Sequence, residues 1–391
     1  MLPKPPPREP QLGFLYIPPY RLIGHSVAGE VTSLQIPELD ICFDMGACAR
    51  PMLAMPFVAI SHGHMDHIGG LAYYCSQRVF QGMTPGTIIV PEAIAPAIKR
   101  MMDGYIELER QQTPYKLIAL PPEGTVEIKN NIFLRGFAVE HTVPTYGYTV
   151  IERRSKLKPE LVGLPQEKLM EMKEKGEEIT RTLEIPLFAY VTDTLPGPWL
   201  VREDVRKAQI VFGECTFFEN DHKSRAKTGM HLHAGDLVEW LRVLECQKLV
   251  IGHVSRRTNL AIARSELQKI LGRPKADKIE FLMDGKANKE RYERQQMDAG
   301  EHPTQTGERP ARGGGGGPRM GGAPLRGPMG GGAMSAPRRQ FGASPSGGPG
   351  ASGAPSAVSM FRPGAAPGAA SGPGAPKERG RATDESDEIN G

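Results

Sequence analysis

The stretch VAISHGHMDHIGGL, residues 58–71, sets His62, His64, Asp66 and His67 close together in a chain that has 10 histidines among 391 residues. Phe57, Val58, Ala59 and Ile60 lead into it as the end of a buried strand, and Gly69 and Gly70 follow. The polar side chains are therefore expected on a loop leaving a strand, not on a helix, where they can turn toward one point. A solvated turn accounts for one histidine but not for the order H-x-H-x-D-H. Imidazole nitrogen together with carboxylate oxygen suits zinc or a similar borderline divalent ion.

Three further candidates each close an apolar run. His141 follows Phe137-Ala138-Val139, Asp193 follows Phe188 to Val191, and His253 follows Leu249-Val250-Ile251. With the first loop they form a binuclear constellation, in which His62, His64 and His141 serve one ion, Asp66, His67 and His253 the other, and Asp193 bridges. Such sites hold their ions about 3.5–4 Å apart and activate a water between them. Asp44, ending LDICFD, is either a carboxylate that steadies the ligand loop or a turn-capping residue.

Composition divides the chain. Residues 14–285 carry apolar runs separated by Gly and Pro turns and are expected to form one domain. Residues 1–13 are a proline-rich lead-in without the apolar core of a signal peptide. From 286 onward the chain passes into Gly, Pro, Ala, Ser and Arg, too poor in aliphatic residues to offset its ordering entropy. It is expected to be a disordered tail. No run is long enough to span a bilayer. Five cysteines without a C-x-x-C pair exclude a disulfide framework or a cysteine zinc site, and point to a reducing, cytoplasmic setting. A net charge of +4 does not by itself identify a nucleic-acid partner.

Strands are expected at 30–36, 39–43, 57–60, 87–90, 115–119, 125–128, 132–138 and 248–251, and helices at 93–108 and 234–244. Mixed elements with polar motifs at strand ends imply an α/β architecture of two packed sheets with helices outside. The two halves show no sequence repeat.

SHGHMDH, HTVPTYGY, VTDT, GECTF, GMHLHAGDL and IGHVSRRT occur in this order. Together they resemble the short form of ribonuclease Z, the tRNA 3′-end endonuclease family of metallo-β-lactamase fold. The similarity spans about residues 20 to 270 and includes KLKPELVGLP. It implies an αββα sandwich, a homodimer, two Zn2+ per chain (or Mn2+ or another divalent ion) and precursor tRNA as substrate. It assigns the seven metal ligands as grouped above and gives Asp66 a second role as proton acceptor for the attacking water. It carries the general acid to His231, supported by Glu214, and sets Ser255 and Arg257 near the scissile phosphate. The products would be a tRNA 3′-hydroxyl and a trailer 5′-phosphate. Thr145 and Thr192 stand where the family usually has serine and glycine, which leaves the ligand set intact. By spacing alone, His233 is a second candidate for the acid.

The segment 152–184, with Arg153, Arg154, Lys156, Lys158, Lys168, Lys173 and Lys175 among many glutamates, corresponds to a family insert that extends as a tRNA-binding arm; a solvated helix face is the alternative. Arginines scattered through the tail could contact RNA weakly or simply keep the chain soluble. The competing function is another binuclear metallo-hydrolase of the same fold, acting on a small ester or phosphodiester.

Overall fold

A computed structural model describes residues 2–5 and 12–300. Two seven-stranded sheets are built in the same way. The first comprises β1 (Gly13–Ile17), β2 (Tyr20–Val27), β3 (Val31–Ile36), β4 (Ile41–Phe43), β5 (Phe57–Ala59), β6 (Thr87–Pro91) and β7 (Lys116–Leu120), paired in chain order. The second comprises β8 (Thr125–Lys129), β9 (Ile132–Val139), β10 (Thr145–Leu157), β11 (Thr180–Val191), β12 (Ile210–Glu214), β13 (Lys248–Gly252) and β14 (Ile279–Phe281). In each sheet four antiparallel strands run into parallel ones, so the halves share a topology without sharing a sequence.

The helices are α1 (Met65–Ile68), α2 (Leu71–Phe80), α3 (Ala95–Glu109), α4 (Gln166–Glu174), α5 (Glu203–Arg206), α6 (Lys223–Gly229), α7 (Ala234–Val243), α8 (Leu260–Leu271), α9 (Arg273–Ala276) and α10 (Gly285–Asp298). The pleat explains the layering. Ala59, Ile89, Phe212 and Val250 point into the core between the sheets. Their neighbours Val58, Ile88 and Val90 face α2 and α3, while Val211, Leu249 and Ile251 face α7 and α8. A strand buried on both faces reads as an unbroken apolar run, which is why these were visible in the sequence. The expected αββα sandwich is the observed architecture. In its middle Phe43 stacks on Tyr190 across the sheets, with ring centroids 4.7 Å apart, and Tyr190 stacks on Phe212 at 5.2 Å.

Two expectations are corrected. The ligand stretch is not all loop, because Asp66 and His67 lie on α1, a single turn that His64 precedes. The stretch expected to belong to the tail from 286 onward begins instead as α10. Asn288 donates to the carbonyls of Phe281 and Leu282 at 3.1 and 2.9 Å, and the Tyr292 ring meets Phe14 edge-on at 5.5 Å. The tertiary partners of a polar helix are invisible to composition. The rest of the expected tail, 301–391, and residues 1 and 6–11 of the lead-in lie outside the described residues. No helix among the described residues is long and apolar enough to cross a membrane.

Past Arg153, whose amide donates to the Asn131 carbonyl at 2.8 Å, β10 pairs with β11 and the two continue as a two-stranded ribbon to Leu157 and Thr180. This ribbon, with α4 beyond it, occupies the segment 152–184. Arg153 pairs with Glu184 at 3.0 Å and Lys175 with Glu171 at 2.6 Å, so part of its basic charge is already matched.

Replacing Tyr292 by alanine removes the anchor of α10 on β1, and a loss of about 2–3 kcal/mol is expected. Tyr292→Phe keeps the ring and loses the hydroxyl bond to the Pro3 carbonyl, about 1 kcal/mol. Urea denaturation of both variants checks the order; equal stability of the alanine variant and the parent chain would show α10 to be merely apposed.

Candidate metal centre

The polar residues gather at the edge of the sandwich where β4, β5, β9, β11, β12 and β13 end. Close approach of two loops makes this possible. A Cβ on Gly46 would lie 1.9 Å from the Asp66 carbonyl oxygen, so only glycine lets the loop after β4 pass under α1. Asp44, Asp193 and His253 all have positive φ, of 54°, 35° and 50°. Left-handed backbone at non-glycine residues costs energy and is retained where surrounding structure demands it.

Two clusters meet at Asp193. Potential ligand atoms of His62, His64, His141 and Asp193 lie within 4.8 Å of one another, and so do those of Asp66, His67 and His253. Asp193 Oδ2 lies 3.7 Å from His62 Nε2, 3.4 Å from His67 Nε2, 3.9 Å from His141 Nε2 and 3.3 Å from His253 Nε2. Asp66 Oδ2 is 3.5 Å from both His67 and His253 Nε2. The structure thus brings together all the residues that the sequence nominated for the metals.

Four of the five histidines are anchored through Nδ1. Asp44 Oδ2 accepts from His67 Nδ1 at 2.8 Å. The Ser61 hydroxyl donates to Asp44 Oδ2 at 2.8 Å and so accepts from His62 Nδ1 at 2.9 Å. His141 Nδ1 donates to the Met230 carbonyl at 3.1 Å, and His253 Nδ1 lies 3.0 Å from Thr216 Oγ1. A proton fixed on Nδ1 leaves an Nε2 lone pair facing the centre, the usual support of a metal-bound histidine.

The donor set fits a cation. His67 Nε2 and His253 Nε2 are buried and make no hydrogen bond. At the other cluster His64 Nδ1 lies 3.0 Å from His62 Nε2 and 3.4 Å from His141 Nε2. One proton on His64 cannot satisfy both contacts, whereas a divalent ion between the three nitrogens can. Burial holds His62 down to about 2, so it presents a neutral ring. Mixed imidazole and carboxylate ligands suit zinc and neighbouring first-row ions.

Beside the clusters, Glu214 is wholly buried and accepts from the Thr194 amide at 2.7 Å and from His231 Nδ1 at 3.2 Å. The His231 ring lies 5.2 Å from those of both His141 and His253. Burial alone would depress the His231 imidazole, but the Glu214 charge and hydrogen bond raise it to about 9, so at neutral pH it carries a proton toward the site. His233 is occupied elsewhere: it caps α7 by accepting from the Gly235 amide at 3.0 Å, and its Nε2 meets the Glu219 carbonyl at 3.1 Å. Ser255 and Arg257 follow β13 on the rim. The Ser255 hydroxyl accepts from the Arg257 amide at 3.4 Å. The Arg257 side chain is exposed, while neighbouring Arg256 pairs with Glu30.

Sequence reasoning missed the supports Ser61, Thr194, Thr216 and Tyr190. The last donates to Asp44 Oδ2 at 2.7 Å from the opposite sheet. Serines, threonines and tyrosines are too common for their spacing to mark them.

The family model described as beta-lactamase superfamily domain matches residues 50–254, more than half of the chain. Among curated proteins, tRNase Z TRZ1 of Arabidopsis thaliana is 31% identical over 242 residues, covering 61% of this chain and 86% of that one. The nuclear ribonuclease Z of Triticum aestivum is 33% identical over 169 residues, 43% of this chain and 96% of its own length. The chain belongs to the ribonuclease Z family. A further member, the chloroplastic tRNase Z TRZ2 of Arabidopsis thaliana, is 28% identical over 263 residues, covering 66% of this chain and 74% of that one. As a ribonuclease Z-type protein the chain is an enzyme, a metallo-hydrolase whose His/Asp cluster can hold divalent metal.

Two outcomes follow from the geometry. Asp193→Ala removes the oxygen shared by both clusters, and elemental analysis of the purified variant should find less than the parent metal content; full loading with normal turnover would sink its bridging place. His233→Ala should lose about 1 kcal/mol with its helix cap, and per folded molecule its turnover should match the parent, as measured by denaturation and kinetics together.

Proposed function

We propose that the chain is a zinc-dependent endoribonuclease that removes 3′ trailers from tRNA precursors, leaving a tRNA 3′-hydroxyl and a trailer 5′-phosphate. The observation that carries this reading is the Glu214–His231 pair beside the histidine and aspartate clusters. A ribose 3′-oxygen is a poor leaving group, and a positioned acid is what its departure requires. Two Zn2+ are the proposed metals, and Mn2+ is compatible with the same ligands. His62, His64 and His141 would hold one ion and Asp66, His67 and His253 the other, with Asp193 between them. Bound there, the pair supplies activation of the attacking water and stabilisation of charge on phosphorus.

The chain's own groups do the rest. Asp66, partly open to solvent, takes the proton of the attacking water. His231 delivers a proton from Nε2 to the leaving oxygen, while Glu214 at Nδ1 orients the ring and stabilises its charged form. Arg257 receives a nonbridging phosphate oxygen with its forked donors, and Ser255 hydrogen-bonds beside it. The ribbon arm at 152–184 grips the body of the precursor tRNA, and the tail adds weak phosphate contacts. Met65 on α1 and Tyr73 and Phe80 on α2 are large apolar side chains left exposed, which supports a homodimer. Five free cysteines support a reducing, cytoplasmic location.

Zinc-loaded protein incubated with a precursor tRNA carrying a 3′ trailer should cut once, with the ends just described; end mapping that finds no cut at the trailer junction would overturn the reading. His231→Ala should retain its metals and slow this cleavage by roughly 10²–10⁴-fold. It should slow hydrolysis of bis(p-nitrophenyl) phosphate far less, because nitrophenolate leaves without a proton. Equal losses on the two substrates would remove His231 from the leaving-group role.

A further inference from the structure

Thr216 has a single hydroxyl in contact with both functional groups of the site. Its Oγ1 lies 2.7 Å from Glu214 Oε2 and 3.0 Å from His253 Nδ1, and also 2.9 Å from the His253 carbonyl. All three residues are buried, so no solvent competes for these bonds. A hydroxyl has one proton to give. The carboxylate is the nearer and stronger acceptor, and Glu214 Oε1 is already committed to the Thr194 amide and His231. With its proton on Glu214, Oγ1 can only accept from His253 Nδ1. That fixes the His253 proton on Nδ1 and leaves Nε2 bare, facing Asp66 and Asp193. In the opposite tautomer Nε2 would carry a proton into those two carboxylates and could not bind a metal.

We infer that Thr216 is a positioning residue that uses the acid's own carboxylate, Glu214, to set the His253 tautomer, joining the proton donor and the metal ligand in one chain: His231, Glu214, Thr216, His253. The inference rests on the proposed reading of His253 as a ligand and His231 as the acid. It adds that the two are not independent. Ser255 belongs to the same unit, since its amide donates to the Thr216 carbonyl at 3.2 Å, which ties the rim turn to the same residue. Among the described residues the side-chain partner of His253 Nδ1 is this hydroxyl, itself held by Glu214 as the serine beside His62 is held by Asp44. Loss of this one hydroxyl therefore frees the His253 ring.

The test compares Thr216→Val, which keeps the shape and removes the hydroxyl, with Thr216→Ser, which restores it, and with His253→Ala. Zn2+ affinity is measured by chelator competition, and the His253 tautomer by ring 15N shifts in the metal-free protein. Turnover is measured at saturating Zn2+ on precursor tRNA and on bis(p-nitrophenyl) phosphate. Thr216→Val is expected to weaken Zn2+ binding by about 10–100-fold, the usual effect of removing a ligand's hydrogen-bond partner. It should also lose the uniform Nδ1-protonated signal, and at saturating metal it should lose more activity on tRNA than on the nitrophenyl ester. Thr216→Ser should recover each property. A purely structural threonine would lower stability and leave affinity, tautomer and substrate ratio unchanged; that result overturns the inference while His253→Ala still loses metal. If His253→Ala keeps full metal content, the ligand reading falls and this inference falls with it.

Discussion

The buried carboxylate of Asp44 is the constraint on which the rest of the site depends. It is fully shielded from solvent and accepts from the Ser61 amide at 2.6 Å, the Ser61 hydroxyl at 2.8 Å, His67 Nδ1 at 2.8 Å and the Tyr190 hydroxyl at 2.7 Å. A charge in an apolar interior is tolerable only when such donors replace its water. Those donors come from the ligand loop and from the opposite sheet. The same carboxylate therefore orients two ring systems, His67 directly and His62 through Ser61, and pins the sheets together beneath them. The Phe43–Tyr190 stack next to it holds the tyrosine where its hydroxyl can reach.

The strained backbone at Asp44, Asp193 and His253 belongs to the same arrangement. Each is the point where a strand stops and its chain must turn abruptly to send a side chain inward. A residue with an extended backbone would continue past the edge of the sheet. Ladder bonds on one side and side-chain bonds on the other hold the unfavourable φ in place, so the sheet's cooperative stability is partly converted into ligand direction.

Much of this was legible in the sequence because the ligands stand directly after apolar runs. A strand buried on both faces is conspicuous, and a lone His or Asp at its end is conspicuous in turn. The hairpin of β1 and β2 was not among the expected strands, and Pro18-Pro19 occupies the turn between them. The turn α1 was hidden by its brevity and the glycines behind it. α10 was hidden because its polar surface resembles the tail, and its docking depends on Asn288 and Tyr292 meeting partners far away in the chain. Of the ring anchors only Asp44 was legible, as a carboxylate closing a strand beside the ligand loop. Thr216 and Ser61 owe their significance to what lies opposite them in space, and the His141 anchor is a backbone carbonyl, which no residue type can reveal.

The strand that delivers Asp193 is the strand that builds the arm. β11 runs from Thr180 in the ribbon to Val191 beside Asp193, with one shift of register against β10 between Pro186 and Phe188. At about 3.3 Å per residue, its 12 residues span roughly 40 Å. The ribbon and the edge that carries Asp193 are thus two ends of one caliper, whose opening is counted in residues. Changing its reach without turning the faces over requires residues to be added in pairs on both β10 and β11, in increments of about 7 Å. A single-residue change would invert the ribbon's outward charges instead of lengthening it. The gauge is therefore discrete, and the distance between the ribbon's tip and the edge that carries Asp193 cannot drift by small degrees.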